Sequence, residues 1–241
     1  IQLRQDQEYL MMQQSRLASM GEMIGYIAHQ WRQPLAQLGG IFMNLESAHA
    51  FDKLDEKYLQ KKIMNGNETI KYMSHTIDDF RLFFTPSESI ERFDVVLVLQ
   101  QAINIVSAVL DYHHINVKID GNPKEFFAKA SGSEFAQILL NLLINSKDAL
   151  SEITDMDRYI YISLSKVEDE IILHFCDNGG GIDVAVLSDI FKPYVSTKHK
   201  KGGTGMGLYM SHLIMEQKMR GSICAQNDEK GACFTLSFPS A

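Results

Sequence analysis

The sequence predicts two units in tandem: an α helical hairpin over residues 1–88 that forms a four-helix bundle as a dimer, and an α+β sandwich over residues 89–241. Three observations predict this. Apolar residues recur at heptad spacing through the first third of the chain. That period stops at Pro86 and Ser87. Beyond it, short apolar runs of strand length alternate with helical patterns and glycine-rich loops, the mixture expected of helices packed on a mostly antiparallel sheet.

In the first unit, Leu17, Met20, Ile24, Ile27 and Trp31 are spaced by alternating steps of three and four. Pro34 removes a helical hydrogen bond and crowds the preceding turn, so a kink is expected there. The seam resumes at Leu35, Leu38, Phe42 and Leu45, and a polar stretch at 49–56 interrupts it. A second seam follows through Leu59, Ile63, Gly66, Ile70, Met73, Ile77, Phe80 and Phe84. Each helix has only a narrow apolar stripe, too little for one hairpin to bury. Pairing two hairpins as a homodimer solves that problem. A single hairpin folded against the rest of the chain is the alternative.

In the second unit the patterns predict strands at 93–97, 115–119 and 126–130 and helices at 99–110 and 134–150. A strand hairpin is expected over 159–165 and 171–176, then a helix at 206–219 and strands at 221–225 and 233–238.

Composition narrows the function. A net charge of −7 without a block of Lys or Arg argues against a nucleic-acid surface. Cys176, Cys224 and Cys233 have no paired metal-ligand spacing and read as buried thiols in a reducing compartment. No uninterrupted apolar run approaches the ~18 residues of a membrane span. The chain starts at Ile1 inside a helical pattern, so it reads as a cytoplasmic fragment whose sensor domain, and any membrane anchor, would lie upstream.

His29 lies opposite the seam formed by Ile24, Ile27 and Trp31, on the outward side of its helix. An exposed imidazole is largely uncharged near neutral pH, leaving one ring nitrogen free as a nucleophile. The segment Ile27-Ala28-His29-Gln30-Trp31-Arg32-Gln33-Pro34-Leu35 resembles the phospho-acceptor box of sensor histidine kinases, with Pro five residues after the His. That family often places Asp or Glu directly after the His. Here the position holds Gln30, whose amide oxygen can accept from the imidazole N–H but cannot take up a proton at neutral pH. The general base is therefore left open. Gln33 occupies the position that the family associates with phosphatase activity and is expected to orient a water.

The second unit carries four separated motifs. Asn141-Leu142-Leu143-Ile144-Asn145 sets two carboxamides on one helix face. Asp177-Asn178-Gly179-Gly180-Gly181-Ile182 follows a strand, where a carboxylate can accept from an adenine amino group. A segment from Ile190 to Lys198 leads to Gly202-Gly203-Thr204-Gly205-Met206-Gly207, which opens a helix and offers N–H groups to phosphate. Gly231-Ala232-Cys233-Phe234-Thr235 begins the last strand. In this order they resemble the N, G1, F and G2 boxes of the ATP-binding domain shared by gyrase, a heat-shock chaperone, mismatch-repair ATPases and histidine kinases.

The resemblance implies ATP and Mg²⁺, with Asn141 and Asn145 in the pocket and the metal held by Asn145. It implies that Asp177 reads the adenine, that Gly179 and Gly181 shape its pocket, and that Gly203, Gly205 and Gly207 belong to the lid. Lys198 is implied as a phosphate contact, and Thr235 as a support for adenine binding through Asp177 and water. Hydrolysing relatives carry a Glu four residues before the metal-binding Asn, and here that position is Asn141. The pocket should therefore wait for a nucleophile other than water. The expected activity is autophosphorylation of His29, then transfer to an Asp on the receiver domain of a response regulator, with some phosphatase action on it. An ATP-driven clamp and a non-enzymatic dimeric adaptor are the rival readings. Whether ATP acts on its own subunit's His29 or its partner's stays open.

Overall fold

A computed structural model describes residues 2–84, 90–120, 126–154, 157–196 and 205–241. At several positions in the first two helices, His29 among them, the side chain lies outside the described residues. The expected boundary near Pro86 also falls largely outside them.

Helix α1 (Gln2–Ala50) runs continuously through Pro34, and α2 (Glu56–Phe84) returns beside it. Asp52 takes the left-handed conformation in the connecting turn, and Asp55 accepts from the backbone N–H of Tyr58 to start α2. Gly66 is buried where a Cβ would meet Leu38 at 3.8 Å, so the two helices approach closely at this level. The seams split in two. Leu38, Leu45, Leu59 and Met73 are half-buried, while Leu35, Phe42, Ile63 and Ile70 are exposed.

The second unit is a two-layer sandwich. Strands β2 (Ile115–Asp120), β4 (Arg158–Val167), β5 (Glu170–Asp177), β7 (Ala232–Pro239) and β6 (Ser222–Asn227) form one sheet in the order β2-β4-β5-β7-β6. The β2–β4 pair is parallel and the others antiparallel. Strands β1 (Glu91–Asp94) and β3 (Phe127–Ala130) make a small antiparallel pair of their own. Helices α3 (Val95–Tyr112), α4 (Gly132–Ser151) and α6 (Gly207–Gln217) form the second layer, and α5 (Val184–Leu187) is a single turn absent from the sequence expectation. Leu99, Phe135, Leu139 and Leu142 meet Ile160, Ile162, Leu173, Phe175 and Phe238 in one apolar core.

One boundary differs from expectation. Residues 95–97 are the first turn of α3 and not a strand, because Asp94 caps the helix by accepting from Val96 and Leu97 N–H. Among the described helices, α3 is long and apolar enough to cross a membrane by length and composition. Its residues Leu99, Ala102, Ile105 and Val106 are, however, spent on the core. The cysteines also depart from expectation: Cys176 and Cys233 are bonded to each other, and Cys224 is free and exposed.

Helices α1 and α2 pack against α3, α4 and α6. Met11 of α1 joins an apolar cluster with Met206, Met210 and Leu213 at the start of α6.

Candidate nucleotide site and acceptor helix

Helix α4 begins at Ser131, whose hydroxyl accepts from Glu134 N–H. Its inner face is apolar, so polar side chains there need partners. Asn141 is buried and donates to the carbonyl of Gly207 at 3.1 Å and to Ser211 Oγ at 3.3 Å, tying α4 to the first turn of α6. One helical turn later Asn145 is half-buried at the same edge. Ser146 is fully enclosed and donates to Asp177 Oδ2 at 2.5 Å.

Asp177 ends β5 with only 4% of its surface exposed. Its Oδ1 accepts from Gly179 N–H at 2.9 Å and, at 3.5 Å, from Ala232 N–H. Burial pushes its carboxyl above the usual Asp range. The bonds from Ser146, Gly179 and Ala232 oppose that shift, and the charge of Asp228 adds to it.

At Gly179 and Gly181 the neighbours leave no room for a side chain, whereas Gly180 faces open space. A Cβ on Gly179 would stand 2.8 Å from Ala149 Cβ and 2.9 Å from Asp177 Oδ1. Gly181 has φ +84°, and Asn227 clasps the next residue by accepting from Ile182 N–H and donating to its carbonyl. Asn178 is buried because its amide bridges Tyr159 N–H and the Asp157 carbonyl at the start of β4.

The described ends of the predicted lid meet. Tyr194 has φ +65°, and Gly205, with φ +66°, sits where a Cβ would come 2.6 Å from the Tyr194 carbonyl carbon. Gly207 then opens α6, whose first turn has no side-chain cap among the described residues. Lys198 and Gly203 lie outside the described residues.

Two expectations need correction. Thr235 does not face Asp177. Side chains alternate across a strand; Phe234 and Leu236 point into the core, and Thr235 points to the outer side, where Oγ1 lies 3.0 Å from His174 Nδ1. The backbone of Ala232 reaches the carboxylate instead. Gln30, expected to offer its amide to the His29 imidazole, is instead buried against the second unit, at 3% exposure. Its Nε2 donates to the Asn104 carbonyl at 2.8 Å and to Ser107 Oγ at 3.1 Å, both on α3, while Oε1 has no partner among the described residues. Gln33 remains exposed and lines a cleft of about 380 Å³ with Gln30, Pro34, Tyr72, Ser107 and Asp111.

Sequence reasoning missed Ser146 and Ala232. Ser146 follows Leu142 by four positions and so falls on the face of α4 that meets the sheet, where a hydroxyl must find an acceptor. The contact from Ala232 is made by the backbone and leaves no mark in residue type.

The model of the family described as histidine kinase-, DNA gyrase B-, and HSP90-like ATPase matches residues 130–241. Over 234 residues the chain is 29% identical to the two-component sensor PprA of Pseudomonas aeruginosa, covering 95% of the chain and 25% of that protein. It is 25% identical over 241 residues to the sensor histidine kinase ZraS of Escherichia coli, covering 99% of the chain and 49% of ZraS. The chain thus spans half or less of these relatives. Histidine kinase ThkA, solved in complex with the response regulator protein TrrA, aligns with TM-score 0.53 at 19% identity, over 95% of this chain and 64% of that one. At that identity the likeness speaks for the fold. Taken with the buried Asp177 and its glycine-lined surroundings, these matches liken residues 130–241 to the ATPase domain of the histidine kinase, gyrase B and HSP90 type, and the chain as a whole to proteins named as sensor histidine kinases.

Proposed function

We propose that this chain is the catalytic core of a sensor histidine kinase. ATP held beside Asp177 would give its γ-phosphoryl group to His29, and a receiver-domain Asp of a response regulator would take it in turn. The division at residues 88 and 89, the roles of the site residues and the dimer all belong to this proposal. The observation that carries it is the Asp177 carboxylate, buried yet held by Ser146, Gly179 and Ala232 beside Gly179 and Gly181, where a side chain would not fit. Such a fixed acceptor suits the adenine amino group, and Gly179 and Gly181 let the base approach the chain.

The residues present also suit a magnesium ion. Asn145 offers a hard amide oxygen at the pocket edge, and Mg²⁺ is commonly held by few protein ligands together with phosphates and water. When bound it would neutralise charge on the phosphates. Asn141 has no carboxylate to activate water, and its amide is committed to Gly207 and Ser211. That favours transfer over hydrolysis and weighs against a clamp driven by ATP turnover. Gly205 and Gly207, with Lys198 and Gly203, would form the lid over the phosphates. The exposed halves of both helical seams, Leu35, Phe42, Ile63 and Ile70, support pairing with a second hairpin. Gln33, exposed beside the cleft, would orient a water in phosphatase action on the regulator.

Incubation with γ-labelled ATP and Mg²⁺ tests the reading. An acid-labile phosphoryl group mapping to His29 is expected, with His29→Ala unlabelled but binding ATP as before. Labelling of that variant at another residue would overturn the acceptor assignment. ATP binding without labelling of the parent chain would overturn the kinase reading.

A further inference from the structure

The outer face of the large sheet carries chemistry that the phosphoryl-transfer reading does not use. Cys176 on β5 and Cys233 on β7 stand directly opposite each other, with Cα atoms 4.1 Å apart and their sulfurs bonded. Cys176 immediately precedes Asp177, and Cys233 immediately follows Ala232, whose N–H reaches the Asp177 carboxylate. The bond therefore joins the two strand ends that build the adenine side of the pocket. Asp228, in the turn before β7, places Oδ2 3.5 Å from Cys233 Sγ. The N–H groups of Lys230 and Gly231 hold its carboxyl below the usual range, so it is an ionised acceptor. Both sulfurs and this carboxylate lie within 4.8 Å of one another. The third cysteine, Cys224, is exposed and unbonded, an internal reference for reactivity.

We propose that Cys176 and Cys233 are a reversible modification site, oxidised to the bonded form by small-molecule disulfides, and that the bond tightens nucleotide binding at Asp177. The second half of this inference rests on the nucleotide reading of the pocket. Cys176 is the more open of the two. Its thiolate attacks one sulfur of the small disulfide, forming a mixed disulfide and releasing one small thiolate. Cys233, beside the Asp228 carboxylate, then loses its proton to solvent, and its thiolate attacks the Cys176 sulfur, releasing the second small thiolate. Two electrons pass from the cysteine pair to the reagent, whose S–S bond becomes two thiols once each has taken a proton from solvent. Excess small thiol drives the reverse exchange. Closing the bond fixes Ala232 N–H against Asp177, so less ordering remains to be done when adenine binds.

The full chain, reduced and then treated with oxidised glutathione, provides the test. Alkylation followed by mass spectrometry should find Cys176 and Cys233 labelled only in the reduced state and joined to each other after treatment, whereas Cys224 should appear as the alkylated thiol or its glutathione adduct and never in a bond within the chain. Calorimetry should show ATP binding about 3–10-fold tighter after oxidation, in keeping with removal of a modest ordering cost. Cys233→Ser and Cys176→Ser should each bind ATP equally well with and without the oxidant. A pair that stays open to alkylation after treatment, or a response that survives in either variant, would overturn the site. ATP affinity that ignores the oxidation state overturns the coupling alone. ATP binding in neither state overturns the coupling and the nucleotide reading together.

Discussion

Leu142 in α4 and Phe42 in α1 are both apolar positions in regular helical patterns, yet Leu142 is fully buried and Phe42 is 66% exposed. The sandwich closes its core within one chain, because α3 and α4 lay their apolar faces on a five-stranded sheet. The hairpin has only two narrow stripes, and within one chain they cover each other at alternate positions. Leu38 and Leu45 turn inward, whereas Leu35 and Phe42 do not. The same heptad logic thus yields a finished surface in one unit and an unfinished one in the other. It follows that stability should be lost by truncation in the sandwich, and assembly by truncation in the hairpin.

The largest effect expected is on the finished side. Leu142→Ala should cost about 2–5 kcal/mol of stability, measured by denaturant unfolding, since its site has no solvent to relax into. Phe42→Ala together with Ile70→Ala should leave that transition in the sandwich unchanged and shift sedimentation from dimer to monomer. Hairpin changes that destabilised the sandwich while the assembly stayed intact would overturn this difference between the two units.

Next comes the pocket. Asp177→Ala removes the acceptor for adenine and leaves Ser146 and two backbone N–H groups without it, so ATP binding should weaken by about 1–3 kcal/mol. Calorimetry giving parental affinity would remove Asp177 from the site.

The junction between the units sharpens the comparison, because here the hairpin is buried after all. Gln30 donates twice into α3, and a carboxylate in its place would face the Asn104 carbonyl with no donor of its own. Gln30→Glu should therefore release the contact, a loss of about 1–3 kcal/mol for a buried polar group left unpaired. The readout is faster amide hydrogen exchange around Asn104 and Ser107. Unchanged exchange would mean that this contact does not hold the two units together in solution.

Much of this was legible in advance, and the failures have physical causes. The strand hairpin follows from side-chain alternation, which reports burial directly. Of the two heptad seams, however, only alternate positions are covered within the chain, and the expected boundary near Pro86 falls largely outside the described residues. The start of α3 departs from expectation because Phe93, Val95 and Val96 favour strands, and one capping Asp94 overrides them. Thr235 was assigned by its place in a motif, but strand alternation sends it to the other face. The burial of Gln30 is invisible to heptad analysis, which sees only the hairpin, whereas α3 covers that side. The pairing of Cys176 with Cys233 depends on the register of β5 and β7, which residue spacing does not specify.

The smallest effect expected concerns pH, and it separates the two uses of Asp177. Burial holds its carboxyl above the ordinary range, so the folded chain binds a proton more readily there than the unfolded chain does. Its contribution to stability is therefore fully present below the unfolded value, near pH ~3.9, and is lost as pH rises through the higher folded value. At neutral pH the ionised carboxylate is a burden on the fold, kept because the adenine amino group needs an acceptor. Asp177→Asn removes the charge and can still accept from Gly179, while its amide turns Ser146 into the acceptor. In the absence of nucleotide this variant should melt slightly above the parent at pH 7, with the gap closing as pH falls through the folded pKa. Its ATP affinity should nonetheless be lower at pH 7, and the parent's affinity should fall toward it on acidification. A parent chain that melts higher than the Asn variant at neutral pH would show the opposite sign: a carboxylate whose hydrogen bonds outweigh its burial, and which therefore stabilises the pocket even when empty.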